Sequence, residues 1–297
     1  MTPVLRKQNT ICRPVNVSGF GYWSSLGVNV EFRPAPANHG IVFIRRDIPS
    51  QTRIPAAIGF RADAPRRTSL FANGSSVDMV EHIMAALYGL QIDNCEIWVD
   101  RAEMPGCDGS SIAFVEAIQE AGIECQDETR PRLVIEQNIR VGDEDCWIQA
   151  EPNPEGTFQI HFALDYPNHP VIGKQDVTLD VTPESFCSDL ASARTFILKH
   201  EADYLHRQGL GRRATYRDLI VFDENGPVDN SLRFENECAR HKALDVVGDF
   251  ALAPFDIVGK FTANRSGHKL NAEMVKQMLL SGSIVRSEDV HGIRKSA

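Results

Sequence analysis

Four groups of residues have types and spacings suited to hydrolytic chemistry. Glu81 stands directly before His82, and His241 is followed by Asp245 and then by Asp249. His268 lies in Ser266-Gly267-His268-Lys269-Leu270-Asn271, and Thr195 lies in Ala193-Arg194-Thr195-Phe196. Residues at i and i+4 share one helix face, so His241 and Asp245 can reach one cation together, and Asp249 extends the same row. Zinc takes imidazole nitrogen and carboxylate oxygen. Three protein ligands with one open position is its catalytic arrangement, because the open position binds and acidifies water. His82 is the natural third donor, since it occupies the place in the first half that His241 occupies in the second. An amide hydrolase also needs a base for the attacking water and an acid for the departing amine, and histidine titrates in the range that suits the acid. Taken singly, Glu81 reads equally as a first-turn carboxylate favoured by the helix dipole. His39, His161, His169, His200, His206 and His291 read as ordinary packed or solvated side chains.

The elements that must carry these residues follow from periodicity and punctuation. Strands are expected at Ile11 to Val17, Gly27 to Phe32 and Gly40 to Arg46. Apolar residues at helical spacing place a helix over Val80 to Leu90. A strand over Cys95 to Val99, a turn at Met104 to Gly109 and a helix from Ser111 to Ala121 ending at Gly122 follow. Gln126 to Pro131 is charged and contains a proline, and is read as a linker. Beyond it come strands at Leu133 to Val141, Trp147 to Ala150 and Phe158 to Leu164, and a helix over His241 to Phe250. The last units are a strand at Ile257 to Thr262 and a helix from Asn271 to Leu280 closed by Gly282. His82 and His241 are offset by the same interval as Gly89 and Gly248, and Gly122 and Gly282 by nearly that interval. The expected organisation is therefore two related α+β domains, residues 1–127 and 131–297, with the ligand site in the seam between them.

Composition narrows the remaining classes. The chain has 297 residues, 42% hydrophobic and 24% charged, which is enough to bury a sizeable core. A formal net charge of -9 disfavours generic binding of nucleic acid or anionic lipid. No apolar run approaches membrane-spanning length, and Met1 to Asn9 lacks the apolar core of a signal peptide. Seven cysteines without a Cys-x-x-Cys pair suit neither a disulfide framework nor an all-cysteine metal site. A cytoplasmic protein without stable membrane insertion is expected, and a monomer is compatible with the sequence.

Together the motifs resemble one family. Val80-Glu81-His82-Ile83-Met84-Ala85-Ala86-Leu87, Arg33-Pro34-Ala35-Pro36-Ala37-Asn38, Asp108-Gly109-Ser110-Ser111, Ala193-Arg194-Thr195-Phe196, Arg240-His241-Lys242-Ala243-Leu244-Asp245 with Gly248-Asp249, and the segment around His268 are similar to those of the UDP-3-O-acyl-N-acetylglucosamine deacetylases of lipid A biosynthesis. The resemblance implies two β-α-α-β sandwich domains, each with a small insert, and a Zn2+ ion held by His82, His241 and Asp245. It implies Glu81 as general base, His268 as the acid that protonates the leaving amine, Asp249 orienting His268, and Thr195 holding the oxyanion. Lys242 would contact substrate. The insert Arg194 to Arg217, with Phe196, Ile197, Leu198, Tyr204, Leu205 and Leu210, would cover the acyl chain. Lys242, Lys260 and Lys269 are candidates for the diphosphate.

Two departures stand out. The family's Gly-x-Gly-Leu-His loop reads Gly19-Phe20-Gly21-Tyr22-Trp23 here, so Trp23 replaces the histidine. Arg212 and Arg213 replace small residues in the insert, and either face solvent, grip the diphosphate, or line the passage and signal a different acyl group. Deacetylation of another N-acetylated sugar nucleotide and a non-catalytic zinc-binding role are the alternatives at this point.

Overall fold

The computed structural model describes residues 5–292 in backbone and 5–289 in side chain. Residues 1–4, part of the stretch read for a signal peptide, and the side chain of His291 lie outside that range. The fold is α+β. The first half runs β1 (Lys7–Ile11), β2 (Val15–Phe20), β3 (Gly27–Pro34), β4 (Ile41–Arg45), β5 (Arg53–Pro55), β6 (Arg61–Ala62), β7 (Ser69–Ala72), β8 (Ser75–Asp78), α1 (Glu81–Gly89), β9 (Cys95–Val99), α2 (Ile112–Ala121) and β10 (Ile123–Thr129). Its main sheet has the order β2-β3-β9-β4-β5. β3 shows why such segments become strands: Val28, Val30 and Phe32 turn inward in alternation while their neighbours face out. α1 is buried nearly all round, which its unbroken apolar run Ile83 to Leu87 allows.

The second half runs β11 (Arg132–Val134), β12 (Ile139–Gly142), β13 (Trp147–Glu151), β14 (Phe158–Tyr166), β15 (Gly173–Asp180), a short helix α3 (Pro183–Ser185), β16 (Phe196–Leu198), α4 (Lys199–Arg207), β17 (Ile220–Phe222), α5 (Glu237–Phe250), β18 (Asp256–Asn264), α6 (His268–Ser281), β19 (Ser283–Val285) and α7 (Ser287–Gly292). In the first half β9 lies between antiparallel β3 and parallel β4, and β2 and β5 add outward as antiparallel neighbours. In the second half β18 lies between antiparallel β13 and parallel β14, with β12 and β15 adding outward in the same sense. Order and direction of these five strands therefore match between the halves, although β18 also pairs with β11, which carries β19, and β9 has no such extra neighbour among the described residues. Each central strand follows the helix that carries a site histidine. Each half also holds an insert: β6-β7-β8 in the first, and β16-α4-β17 in the second.

α1 and α5 pack against each other at the centre of the molecule. The contact is close because Gly248 has no side chain: a Cβ there would lie 2.1 Å from the carbonyl oxygen of Glu81. Gly89, its counterpart by offset, has another partner, since a Cβ there would meet the ring of Phe186. Gly122 has φ +77 with ψ 158, an extended positive-φ conformation that suits glycine, whereas Gly282 has φ -83 and is needed only for its close approach to the Met278 carbonyl and Leu133.

Several expected boundaries change. The strand expected from Ile11 to Val17 breaks after Ile11, because β1 leaves to pair with β10 while β2 joins the main sheet. The segment read as a linker is strand as far as Thr129. Gln126 is tied in by its side chain, which accepts from Asn94 and donates to the Ala35 carbonyl, so polarity marks here a paired edge rather than a loose connection. The strand expected over Leu133 to Val141 is two strands in different parts of the sheet, β11 and β12. α5 and α6 also begin earlier than periodicity indicates, at Glu237 and His268. Among the described residues no helix is long and apolar enough to cross a membrane.

Candidate active site

The first turn of α1 and the central turns of α5 face each other, and the start of α6 closes the third side. His82 Nε2 lies 3.7 Å from Asp245 Oδ1, and His241 Nε2 lies 3.5 Å from the same oxygen. The two imidazoles meet edge to face, with ring centres 5.1 Å apart. All three side chains are buried. His241 Nδ1 sits 3.1 Å from the Ala193 carbonyl. That carbonyl can only accept, so Nδ1 carries the proton and Nε2 presents its lone pair to the cluster.

Asp245 Oδ1 supplies the test of whether a cation fits. It is buried, and among the described residues no hydrogen-bond donor reaches it. A buried carboxylate oxygen without a partner is costly unless something positive meets it. The ligand atoms of His82, His241 and Asp245 all lie within 4.8 Å of one another. Ligands roughly 2.1 Å from one zinc at the tetrahedral angle lie about 3.4 Å apart, close to the two separations on Asp245 Oδ1. The residues fit a divalent cation with mixed nitrogen and oxygen donors. The other oxygen, Oδ2, accepts from Lys242 Nζ at 2.6 Å.

Electrostatics separates the titratable groups. Burial lowers His82 to about 3, reinforced by His241, so it is neutral. Burial also lowers His241, against the pull of Asp245. Burial would raise Asp245, but Lys242 and the surrounding histidines hold it well below the usual carboxylate range. Glu81 moves the other way: burial raises it to about 7, partly countered by the His268 charge. Burial would lower His268, yet Asp249 and Asp245 raise it to about 9. A carboxylate near neutrality beside a histidine that keeps its proton is the division an acid–base pair requires.

The orientation of that pair is fixed by hydrogen bonds. Asp249 Oδ2 accepts from His268 Nδ1 at 2.9 Å and from Asn271 Nδ2 at 2.8 Å. Asn271 Oδ1 in turn accepts from Ser266 Oγ. Glu81 Oε2 accepts from the backbone N–H of Thr68 at 2.9 Å, and the Thr68 hydroxyl donates to Asp249 Oδ1. Met79, two residues before Glu81, has φ +60, a conformation a non-glycine residue holds only where its surroundings impose it.

The structure thus gathers the residues singled out above. Glu81, His82, Thr195, Phe196, His241, Lys242, Asp245 and His268 line one cleft of about 1330 Å³, with Asp249 behind His268. The Thr195 backbone N–H donates to Gly109 O, which ties the second insert to the Asp108 turn. Lys269 lies on the cleft rim, whereas Lys260 sits on β18 and takes no part in its walls. Of the apolar insert residues, Phe196, Ile197, Leu205 and Leu210 line the cleft. Leu198 packs into the core and Tyr204 faces solvent. Arg212 and Arg213 are exposed and outside the cleft wall, and the Arg213 guanidinium lies over the Phe20 ring. Trp23 lines the cleft with Arg67 stacked on its indole, and Glu103 accepts from the backbone N–H groups of Trp23 and Ser24. Sequence reasoning missed Asn271 and Thr68. Asn271 was within reach, since it lies one helical turn after His268 and shares its face. Thr68 gave no such signal.

Comparison with known proteins agrees with this geometry. A family model described as UDP-3-O-acyl N-acetylglycosamine deacetylase matches residues 8–280. A protein of Mannheimia succiniciproducens is 38% identical over 277 residues, covering 92% of this chain and 90% of its own. One from Myxococcus xanthus is 36% identical over 280 residues, covering 94% and 88%. One from Solibacter usitatus is 36% identical over 281 residues, covering 94% of each. Each of these relatives is named UDP-3-O-acyl-N-acetylglucosamine deacetylase.

Proposed function

The chain belongs to the UDP-3-O-acyl-N-acetylglucosamine deacetylase family, and from that premise we propose how its own residues act. The reaction is hydrolysis of the N-acetyl group of UDP-3-O-acyl-N-acetylglucosamine, releasing acetate on the route to lipid A. His82, His241 and Asp245 hold a Zn2+ ion, which when bound supplies an electrophile for the acetamide carbonyl and acidifies water. The observation that carries this reading is the buried Asp245 Oδ1, without a hydrogen-bond donor among the described residues, beside Nε2 of both His82 and His241.

Glu81 takes the proton of the attacking water. Its burial keeps the carboxylate a good base near neutral pH, and the Thr68 N–H fixes which oxygen is free. Thr195 offers its hydroxyl to the oxygen of the acetyl group as charge builds there. His268, held protonated by Asp249 and Asp245, gives its proton to the departing nitrogen and leaves a free amine. Lys242 lies beside Asp245 on the cleft wall and meets the substrate. The apolar wall made by Phe196, Ile197, Leu205 and Leu210 takes the acyl chain. A charged sugar nucleotide and a chain without a membrane-crossing helix among its described residues suit a cytoplasmic reaction.

Acetate release measured on acylated and unacylated UDP-N-acetylglucosamine tests the reading. Strong preference for the acylated substrate, loss with a chelator and recovery with zinc are expected. Equal rates on both substrates overturn the acyl site, and chelator-resistant turnover overturns the metal.

A further inference from the structure

Thr68 lies at the entry to β7 in the first insert and is wholly buried. It turns each of its polar groups on the machinery of the site. The backbone N–H donates to Glu81 Oε2 at 2.9 Å. The carbonyl accepts from the N–H of Val80, the residue just before α1, at 3.2 Å. The hydroxyl donates to Asp249 Oδ1. Glu81 belongs to the first half and Asp249 to the second, separated by most of the chain. One residue therefore spans both.

The consequence for Asp249 is geometric. Its Oδ2 accepts from His268 Nδ1 and Asn271 Nδ2, and the Thr68 hydroxyl occupies the opposite oxygen. A carboxylate gripped on both oxygens cannot rotate about its own axis, so the plane in which it meets His268 is fixed. Without the hydroxyl, Oδ1 becomes a buried acceptor lacking a donor, and the carboxylate turns to find one. The His268 ring follows, since Oδ2 sets its tilt. The same residue holds the Glu81 carboxylate through a peptide N–H, which no substitution other than proline removes.

We propose that Thr68 is a positioning residue for the proton transfers: a single clamp that sets Glu81 and the Asp249–His268 pair in register across the two halves. The inference rests on the reading of Glu81 and His268 as the proton-transferring groups. Its magnitude follows from the steep dependence of such steps on placement, where a shift of about 1 Å costs up to roughly a hundredfold.

The test uses Thr68→Val, which keeps shape and backbone and deletes the hydroxyl, beside Thr68→Ser, which keeps the hydroxyl. In the zinc-loaded enzyme, Thr68→Val is expected to lower kcat by roughly ten- to a hundredfold with KM and zinc content close to wild type, alongside a modest fall in melting temperature from the unpaired Asp249 Oδ1. Thr68→Ser is expected to restore most of the rate. A purely structural role moves melting temperature alone, and leaves kcat of the folded fraction intact. Adding Thr68→Val to Asp249→Asn should cost little beyond Asp249→Asn alone, because both act through one carboxylate, and full additivity overturns the clamp. Two NMR readouts on metal-free protein are independent of turnover. The Thr68 hydroxyl proton should exchange slowly in wild type, and the His268 Nδ1 proton should shift in Thr68→Val. Rapid hydroxyl exchange overturns the proposal even if Thr68→Val fails to fold. Failure of the underlying reading looks different: Glu81→Gln and Asp249→Asn would then keep wild-type turnover. If both lose turnover while Thr68→Val matches wild type in rate and in the His268 resonance, the clamp alone is wrong.

Discussion

The two inserts meet the same cleft and are built oppositely. The first, β6-β7-β8, packs inward: Thr68, Ser69, Leu70 and Val77 are buried, and Thr68 bonds to groups from both central helices. The second, β16-α4-β17, has strands tied to the core by Leu198, Ile220 and Phe222, but α4 contributes no buried residue. Its Phe196, Ile197 and Leu205 are only partly covered and face the cleft. The difference teaches how the molecule divides labour. On the proposed reading, the insert that shares the core holds the reacting groups still, and the looser one offers apolar surface to the chain the substrate carries. Changes behind the first insert should therefore appear in kcat, and changes in the second in substrate choice.

The largest expected effects concern the groups the first insert holds. Glu81→Ala and His268→Ala should each lower kcat by about a hundredfold to ten-thousandfold, as general acid–base groups do. Steady-state kinetics checks this, and a change confined to KM would break the division. The pH profile sharpens it. As the proposed base Glu81 must be ionised, so the rate should rise as pH passes its raised value of about 7, or lower once a cation is bound nearby. As the proposed acid His268 must be protonated, so the rate should fall as pH passes about 9. Asp249→Asn removes a charge that raises His268, and the falling limb should move to lower pH.

Next comes the second insert. Each methylene removed from the acyl chain forfeits about 0.8 kcal/mol of burial, roughly fourfold in affinity. KM should climb steeply over a series of shortened substrates while kcat changes little. Phe196→Ala and Leu205→Ala should flatten that dependence.

A smaller effect is expected where the halves touch. Gly248→Ala forces a Cβ to 2.1 Å from the Glu81 carbonyl. Overpacking of this kind costs about 1–3 kcal/mol, readable as a lower denaturant midpoint. Gly27→Ala, with open space around its Cβ, serves as the control and should leave that midpoint unchanged. The smallest effect is expected for Arg212→Gly with Arg213→Gly. Both side chains lie outside the cleft wall, so the acyl-length preference should not move. A shift toward longer chains in that variant would place them in the passage after all.

How much of this was legible in the sequence follows the same division. α1, β9 and α2 could be read because apolar residues recur at the period of one element and end in recognisable punctuation, Gly122 above all. The clustering of the candidate metal set could be read because His241 and Asp245 share a helix face and His82 matches His241 in position. The second insert showed itself as apolar residues without an evident partner, although Leu198 and Tyr204 proved to face away from the cleft. β10 was hidden by its charge, because an exposed edge strand has the composition of a linker. The first insert was silent. Its contribution passes through a peptide N–H, which every residue but proline carries, and one threonine hydroxyl whose partner lies 181 residues away. Asp249 and Asn271 meet His268 through folding that brings α5 against α6, and spacing shows only half of that.

The central claim is that one cation is shared between α1 and α5, with the proton-transferring groups outside its ligand set. Zinc stoichiometry of purified wild type, His82→Ala, Asp245→Ala and Glu81→Ala tests it most directly. About one zinc per chain is expected for wild type and for Glu81→Ala, as for a three-ligand site, with a sharp loss in His82→Ala and Asp245→Ala. Full zinc content in both ligand variants, or its loss in Glu81→Ala with the fold intact, would contradict the account.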